Sequence, residues 1–278
     1  MNLPDDLQRQ VDAALEEDIG SGDITASLIP EDRQAKAHVL CREAAVICGQ
    51  AWFNDCFHRF DPDVLIDWQV EEGNTVSPDT ILCTLSGRAR SLLTVERTAL
   101  NFLQTLSGVA TETRRYVEAM GDVRTRILDT RKTLPGLRTA EKYAVACGGG
   151  KNHRMGLYDA MLIKENHILS AGSISRAVQE GRSLYPDKPI EVETENLQEL
   201  SEALEAGANI IMLDNYSLED IREAVRINHG RAKLEISGNV TIETLPELAD
   251  TGVDYISIGA LTKHVQAIDL SMRISLEG

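Results

Sequence analysis

Arg97, Arg131, Lys132, His153, Arg154 and Lys164 carry charge, or can, within the segments T-V-E-R-T-A-L-N-F, L-D-T-R-K-T-L-P-G, G-G-G-K-N-H-R and M-L-I-K-E-N-H. The 278-residue chain has a formal net charge of −16, so this concentration of cations needs a cause. A few cations in a low-dielectric cleft focus a field that draws in a small anion even against the global sign. Arginine clasps a planar carboxylate with two parallel hydrogen bonds, whereas lysine meets phosphate as a point charge. Three arginines with histidine and lysine therefore suit a ligand with more than one carboxylate beside a phosphorylated co-substrate.

Each cation also has a plainer reading. Arg97 falls among apolar residues, sharing a helical face with Leu93 and Leu100. There it needs a carboxylate from a ligand or from a neighbour such as Glu96. Arg131 and Lys132 on an isolated strand end would simply be solvated, and His153 alone would be a hydrogen-bonded structural histidine. Lys164 closes an apolar run, where a lysine must be paired or have a shifted pKa. Glu193 and Asp214 end neighbouring predicted strands and so face one mouth. Carboxylates placed this way hold Mg²⁺ beside a polyphosphate, or cap the following helix, as Asp214-Asn215-Tyr216-Ser217 could. Ser237-Gly238-Asn239 and Ser257-Ile258-Gly259 end the last predicted strands, where barrel phosphate sites are built from backbone N–H groups.

A repeated rhythm positions these groups. Short apolar runs end on polar or glycine residues: I-L-D at 127–129, M-L-I-K at 161–164, I-E-V-E at 190–193, I-I-M-L-D at 210–214, L-E-I-S-G at 234–238 and Y-I-S-I-G at 255–259. Helical patterns such as 197–206 and 218–227 lie between them. Strand–helix repeats imply a parallel sheet with right-handed crossovers. The six runs, with a possible seventh strand over 143–148, suggest a closed or nearly closed α/β barrel with its site at the carboxyl ends of the strands. Before this region the spacing predicts a helix through Leu3, Leu7, Val11, Ala14 and Leu15. Strands over 37–47, 64–70 and 81–85 follow, with a helix over 50–60. A long helix over 90–119 is expected to break near Gly108.

Composition narrows the partners. An acidic chain with 4% aromatic residues is a poor match for nucleic acid or an anionic membrane. Five cysteines without C-x-x-C or His-paired spacing read as reduced core filler in a cytoplasmic protein. The start M-N-L-P-D-D lacks a basic and apolar leader, and no apolar run reaches the ~20 residues of a membrane span.

Together these segments resemble the quinolinate phosphoribosyltransferase family over essentially the whole chain. Further matches are A-L-E-E-D-I-G-S-G-D-I-T, E-V-E-T, L-D-N, I-S-G-N and S-I-G-A-L-T. The resemblance implies an N-terminal α/β sandwich domain (1–110, rejoined by 268–278) plus an open, six- to seven-stranded TIM-like α/β barrel (111–267). It implies transfer of phosphoribose from 5-phosphoribosyl 1-diphosphate to quinolinate with decarboxylation and Mg²⁺, in a homodimer with shared active sites. By position, Arg97, Arg131, His153, Arg154 and Lys164 resemble the quinolinate set. Lys132, Glu193 and Asp214 resemble the ribose, diphosphate and metal set, and Ser237, Gly238 and Gly259 the 5′-phosphate cradle, with Asn239 and Ser257 as further substrate-binding candidates. Lys132, Lys164, Glu193 and Asp214 are the catalytic candidates. Arg42 resembles an arginine contributed across the dimer. Asn239 stands where many relatives have glycine, and it keeps a backbone N–H.

Three other readings compete. Lys164 could form a Schiff base in a barrel aldolase, which demands a desolvated amine. V-E-E-G-N-T-V…I-L-C-T-L-S-G resembles a lipoyl-type carrier hairpin, but no lysine lies between Lys36 and Lys132. A paralogue could turn the same scaffold to another aromatic acid.

Overall fold

Leu7 and Val11 give the first helix, α1 (Leu7–Ile19), its buried stripe, and Gly20 ends it at a φ of 50°. Leu3, which spacing placed on that stripe, lies before the helix and is exposed. The computed structural model describes residues 2–276; Met1 and residues 277–278 of the expected terminal segments lie outside the described residues.

The chain divides into two compact units. One comprises residues up to Arg114, Thr133–Gly149 and Leu261 onward; the other comprises Arg115–Lys132 and Gly150–Ala260. In the first unit follow β1 (Gln34–Cys41), β2 (Ala45–Val46), α2 (Gln50–Phe60), β3 (Leu65–Trp68), β4 (Thr75–Val76) and β5 (Thr80–Arg88). Alternation of exposed and buried residues along β1 matches a sheet with one face on a core. That core takes Trp52, Phe53, Cys56 and Phe57 from α2, all fully buried. All five cysteines are free and buried, as core filler should be.

The helix α3 (Ala89–Met120) runs unbroken through Gly108. A Cβ at Gly108 would lie 2.1 Å from the carbonyl oxygen of Gln266, so this glycine permits close approach of another strand of chain and does not break the helix.

The remaining elements are β6 (Arg126–Leu128), α4 (Arg138–Cys147), β7 (Met161–Ile163), α5 (Glu165–Ala171), α6 (Ile174–Leu184), β8 (Ile190–Thr194), α7 (Leu197–Ala206), β9 (Ile210–Asp214), α8 (Leu218–Asn228), β10 (Lys233–Ser237), α9 (Leu245–Ala249), β11 (Tyr255–Ser257), α10 (Ala260–Lys263) and β12 (Leu270–Leu276). The last strand returns to the first unit, pairing antiparallel with β1 in a sheet of order β12-β1-β5-β3.

In the second unit six strands form a parallel sheet of order β6-β11-β10-β9-β8-β7, with β6 and β7 as its edges. The sheet is therefore open, and the expected seventh strand over 143–148 is an error. That stretch is the end of α4, whose Ala140, Ala144 and Val145 recur at helical spacing and are buried. An alanine-rich run of this length favours helix, and its short apolar core does not separate the two periods. A single bridge, Leu128 to Lys151, extends the β6 edge.

Parity then sets the site. Successive side chains on a strand point to opposite faces. Register pairs Leu162 with Glu191, Glu193 with Met212, Met212 with Glu235, and Asp214 with Ser237. These residues share one face, with Glu193, Asp214 and Ser237 at its carboxyl end.

Candidate active site

Thr130, Arg131, Lys132, His153, Arg154, Lys164, Glu193, Met212, Asp214, Glu235, Ser237 and Ser257 line one cavity of about 440 Å³ at that carboxyl end. Arg131, Arg154 and Lys164 also line an adjoining cavity of about 610 Å³, with Tyr158, His167, Tyr185 and Lys188. Residues far apart in sequence thus converge on one rim.

Among the cations, Arg154 is half-buried, and burial followed by the nearby Arg131 charge pushes its pKa below the ordinary value; Glu191 and Asp159 oppose this. Both guanidiniums line the same cavities, so an anion there would relieve their mutual repulsion. Lys164 Nζ lies 2.5 Å from Glu193 Oε2 and its side chain is 48% exposed. It is paired, as expected, but it is solvated rather than desolvated, which removes the basis for the Schiff-base reading.

His153 reaches downward. Its Nε2 lies 2.9 Å from Glu191 Oε2 and 3.5 Å from Glu235 Oε2, and its backbone N–H donates to Asp129 Oδ1 at 2.9 Å. Glu191 and Glu235 escaped the sequence reading. Burial, then the charge of Glu191, pushes the Glu235 carboxyl up to about 8, with His153 and Ser257 pulling the other way. The signal was available. In I-E-V-E and L-E-I-S a glutamate alternates with apolar residues, and a strand covered on both faces tolerates that only where the glutamate meets a polar interior.

The strand-end carboxylates are not helix caps. Ser217 caps α8 by accepting the N–H of Asp220, and Asn196 caps α7 by accepting those of Gln198 and Glu199. Glu193 and Asp214 are left half-exposed at the mouth, and Asp214 Oδ2 accepts from Asn215 Nδ2 at 3.0 Å.

Among the glycines, Gly238 has a φ of +102°, and a Cβ there would lie 2.1 Å from Asn215 Oδ1. Asn239 follows with a φ of 47°, a conformation asparagine tolerates. A Cβ at Gly259 would lie 3.0 Å from Lys132 Cδ and 3.4 Å from Thr130 Oγ1, so the Lys132 stem lies over this glycine. Ser257 is buried, with Oγ 3.3 Å from the carbonyl of Ile236.

Arg97 and Arg42 belong to the first unit, and both are exposed. The expectation that Arg97 is embedded is wrong. Helical spacing put it beside Leu93 and Leu100, but the buried face of α3 runs through Leu92, Val95, Ala99 and Leu100, leaving Leu93 39% exposed.

Residues 109–273 match the model of the quinolinate phosphoribosyl transferase C-terminal domain, and residues 23–107 that of the N-terminal domain of the same family. The chain belongs to the quinolinate phosphoribosyl transferase family. It is similar to the nicotinate-nucleotide pyrophosphorylase structure from Francisella tularensis (48% identity, TM-score 0.95, covering 99% of this chain and 98% of that one). It is also similar to NadC from Streptococcus pyogenes (41% identity, TM-score 0.97, 100% of both chains). A probable nicotinate-nucleotide pyrophosphorylase (carboxylating) of Bacillus subtilis is 41% identical over 261 residues, 94% of this chain and 90% of the relative. The carrier reading falls with this assignment, since both unit types of a phosphoribosyl transferase are present.

Proposed function

We propose that the carboxyl-end mouth of the parallel sheet is where this chain performs its family's reaction. Quinolinate and 5-phosphoribosyl 1-diphosphate give nicotinate mononucleotide, diphosphate and CO₂, a step of NAD biosynthesis. The observation that carries the assignment of the site is the convergence of Arg131, Arg154, His153 and Lys164 on one cavity that also holds Glu193 and Asp214.

The arginines, with His153 and Lys164, bind the two ring carboxylates and aim the pyridine nitrogen at C1 of the ribose. Lys132, with the Ser237–Asn239 and Ser257–Gly259 segments, holds the phosphates of the donor. As the C1–O bond to diphosphate breaks, positive charge grows on the ribose, and Glu193 and Asp214 place negative charge beside it. The nitrogen lone pair forms the new C1–N bond. Its positive charge then stabilises the electron pair left on the adjacent ring carbon when the 2-carboxylate departs as CO₂, and a proton bonds to that carbon through this pair.

The donor set fits Mg²⁺: two hard carboxylates, neither used as a cap, at strand ends open to the mouth. Glu193 and Asp214 would hold the ion, which when bound supplies charge neutralisation to the diphosphate. We further propose a homodimer that shares its active sites, because Arg42 and Arg97, both expected at the site, are exposed on the first unit. A cytoplasmic location is consistent with five free cysteines. No described helix is long and apolar enough to cross a membrane.

Arg131→Ala should weaken quinolinate binding on the order of ten- to a hundred-fold, the worth of one charge-assisted pair, with binding of the phosphoribosyl donor nearly unchanged. Titration calorimetry with each substrate, and with nicotinate as the monoacid control, checks this. Equal loss for both substrates, or wild-type preference for nicotinate, would overturn the assignment.

A further inference from the structure

Lys164 stands where the sheet ceases to support its own strand. It follows β7, an edge of the open sheet, and the last β7 residue paired with β8 is Ile163, opposite Val192. The Met161 N–H points into the sheet and donates to the Pro189 carbonyl at 3.0 Å. Amide direction alternates along a strand, so the Lys164 N–H, three residues on, points out to the open edge. Among the described residues no strand of this sheet lies beyond β7. An amide left there needs another acceptor.

His167 supplies it. The Lys164 N–H donates to His167 Nδ1 at 3.0 Å. A backbone N–H can only donate, so Nδ1 is bare and serves as the acceptor. The same residue grips the lysine's carbonyl, to which the His167 N–H donates at 2.8 Å and the Ile168 N–H at 3.0 Å. In sequence the pair is K-E-N-H, the spacing of a capping box with histidine in place of the usual Glu or Gln. The helix it opens, α5, is seven residues long and none of them is buried. Packing therefore holds that helix weakly, and its junction with β7 leans on these hydrogen bonds.

We propose that His167 is a positioning residue for the dicarboxylate substrate, acting through Lys164. It takes the part that a neighbouring strand plays inside the sheet, satisfying the outward amide and fixing where the lysine stem leaves the backbone. The inference rests on the assignment of Lys164 to quinolinate binding. An ordinary cap would stabilise a helix and nothing more, but here the capped residue is itself the cation at the site. Lys164 keeps the extended backbone of β7, with φ −119° and ψ 170°, and reaches Glu193 Oε2 with its Nζ at the mouth. Its stem is flexible, so the main chain decides which part of the cavity the ammonium group can cover. The His167 ring lines the cavity of about 610 Å³ together with Arg131, Arg154 and Lys164, so a shift of this junction is felt at the anion site.

His167→Gln keeps an acceptor that can reach back three residues, whereas His167→Leu removes it. In the full-length enzyme, titration calorimetry should show the Kd for quinolinate raised about ten-fold or more in His167→Leu. In His167→Gln it should stay within about three-fold of wild type. The decisive arm is Lys164→Ala, which keeps the backbone amide and loses the ammonium group. Adding His167→Leu to Lys164→Ala should weaken quinolinate no further, while the melting temperature falls by the same amount in both backgrounds. A full further loss of affinity in the double variant would overturn the proposal, because the ring would then act without the lysine. Equal losses from the leucine and glutamine variants, or a lower melting temperature with unaltered affinity, would overturn it as well. Should His167→Leu fail to fold, amide hydrogen exchange decides: the Lys164 N–H should be protected in wild type and in His167→Gln, and free exchange in wild type refutes the hydrogen bond. If Lys164→Ala weakens quinolinate and His167→Leu does not, only this inference fails. If Lys164→Ala is silent, the assignment of Lys164 to the site fails first.

Discussion

Gly238 and Gly259 show how one missing methyl group can matter for different reasons. At Gly238 an added Cβ would lie 2.1 Å from Asn215 Oδ1, in a backbone conformation of φ +102° that side chains rarely adopt. Asn215 has little room to yield, because its N–H bonds the carbonyl of Ser237 and its Nδ2 bonds Asp214. At Gly259 φ lies outside the left-handed range, and the nearest atom is Cδ of the long Lys132 side chain, which can swing away. Gly238→Ala should therefore lower stability by about 1–3 kcal/mol and disturb Asp214. Gly259→Ala should leave stability nearly unchanged while displacing Lys132 and weakening the phosphoribosyl donor several-fold. Calorimetric unfolding paired with substrate titrations checks both. A Gly259→Ala protein with a large loss of stability and unaltered donor affinity would refute the claim that this glycine makes room for a ligand-binding lysine.

At the scale of elements, Asp61 ties three of them together. It follows α2, accepts Arg88 Nε at 2.9 Å from the end of β5, and accepts Ser91 Oγ at 2.6 Å from the first turns of α3. The Arg88 hydrogen bond holds its pKa down at about 2, with Ser91 and the Asp63 N–H assisting and burial opposing. A carboxyl lowered on folding adds stability that is complete above its unfolded pKa and vanishes as pH falls through the folded one. The urea midpoint of Asp61→Asn should therefore lie below wild type at neutral pH, and the gap should close between about pH 4 and the folded value near 2. A gap independent of pH would mean that the residue acts by shape alone. Elements of this kind were largely legible in the sequence. The strand–helix rhythm after residue 125 is long and repetitive, so each run supports the next. The errors fell where the signal was short: 143–148 reads as strand or helix until its alanines are weighed, and Gly108 reads as a break until the Gln266 carbonyl beside it is seen. Asp61 carried no signal, because its partners lie about thirty residues downstream in positions that only tertiary packing selects.

At the scale of the whole molecule, the placement of the site differs between residues read from strand ends and those read from a helix. Arg131, His153, Arg154, Lys164, Glu193 and Asp214 were legible as neighbours around one cavity because a parallel sheet delivers strand ends to one mouth. Arg97 was not, because helical spacing names a face without saying whether that face is covered by the same chain. The exposed Arg97 and Leu93 on α3, and the exposed Arg42 after β1, supply the reason to look to a second copy. In a two-fold dimer each partner lends the same patch to the other. A variant lacking a borrowed arginine and one lacking Arg131 then have complementary defects. After mixed refolding of Arg131→Ala with Arg97→Ala, about half the dimers are mixed, and each mixed dimer holds one intact site and one doubly defective site. The mixture should recover about a quarter of wild-type activity, while each variant alone stays near background. Repeating the experiment with Arg42→Ala identifies which arginine crosses the interface. An arginine that works within its own chain gives no recovery, because every site in the mixture then carries at least one defect. A monomer in sedimentation would sink the shared site outright, and recovery by neither pair would confine each site to one chain.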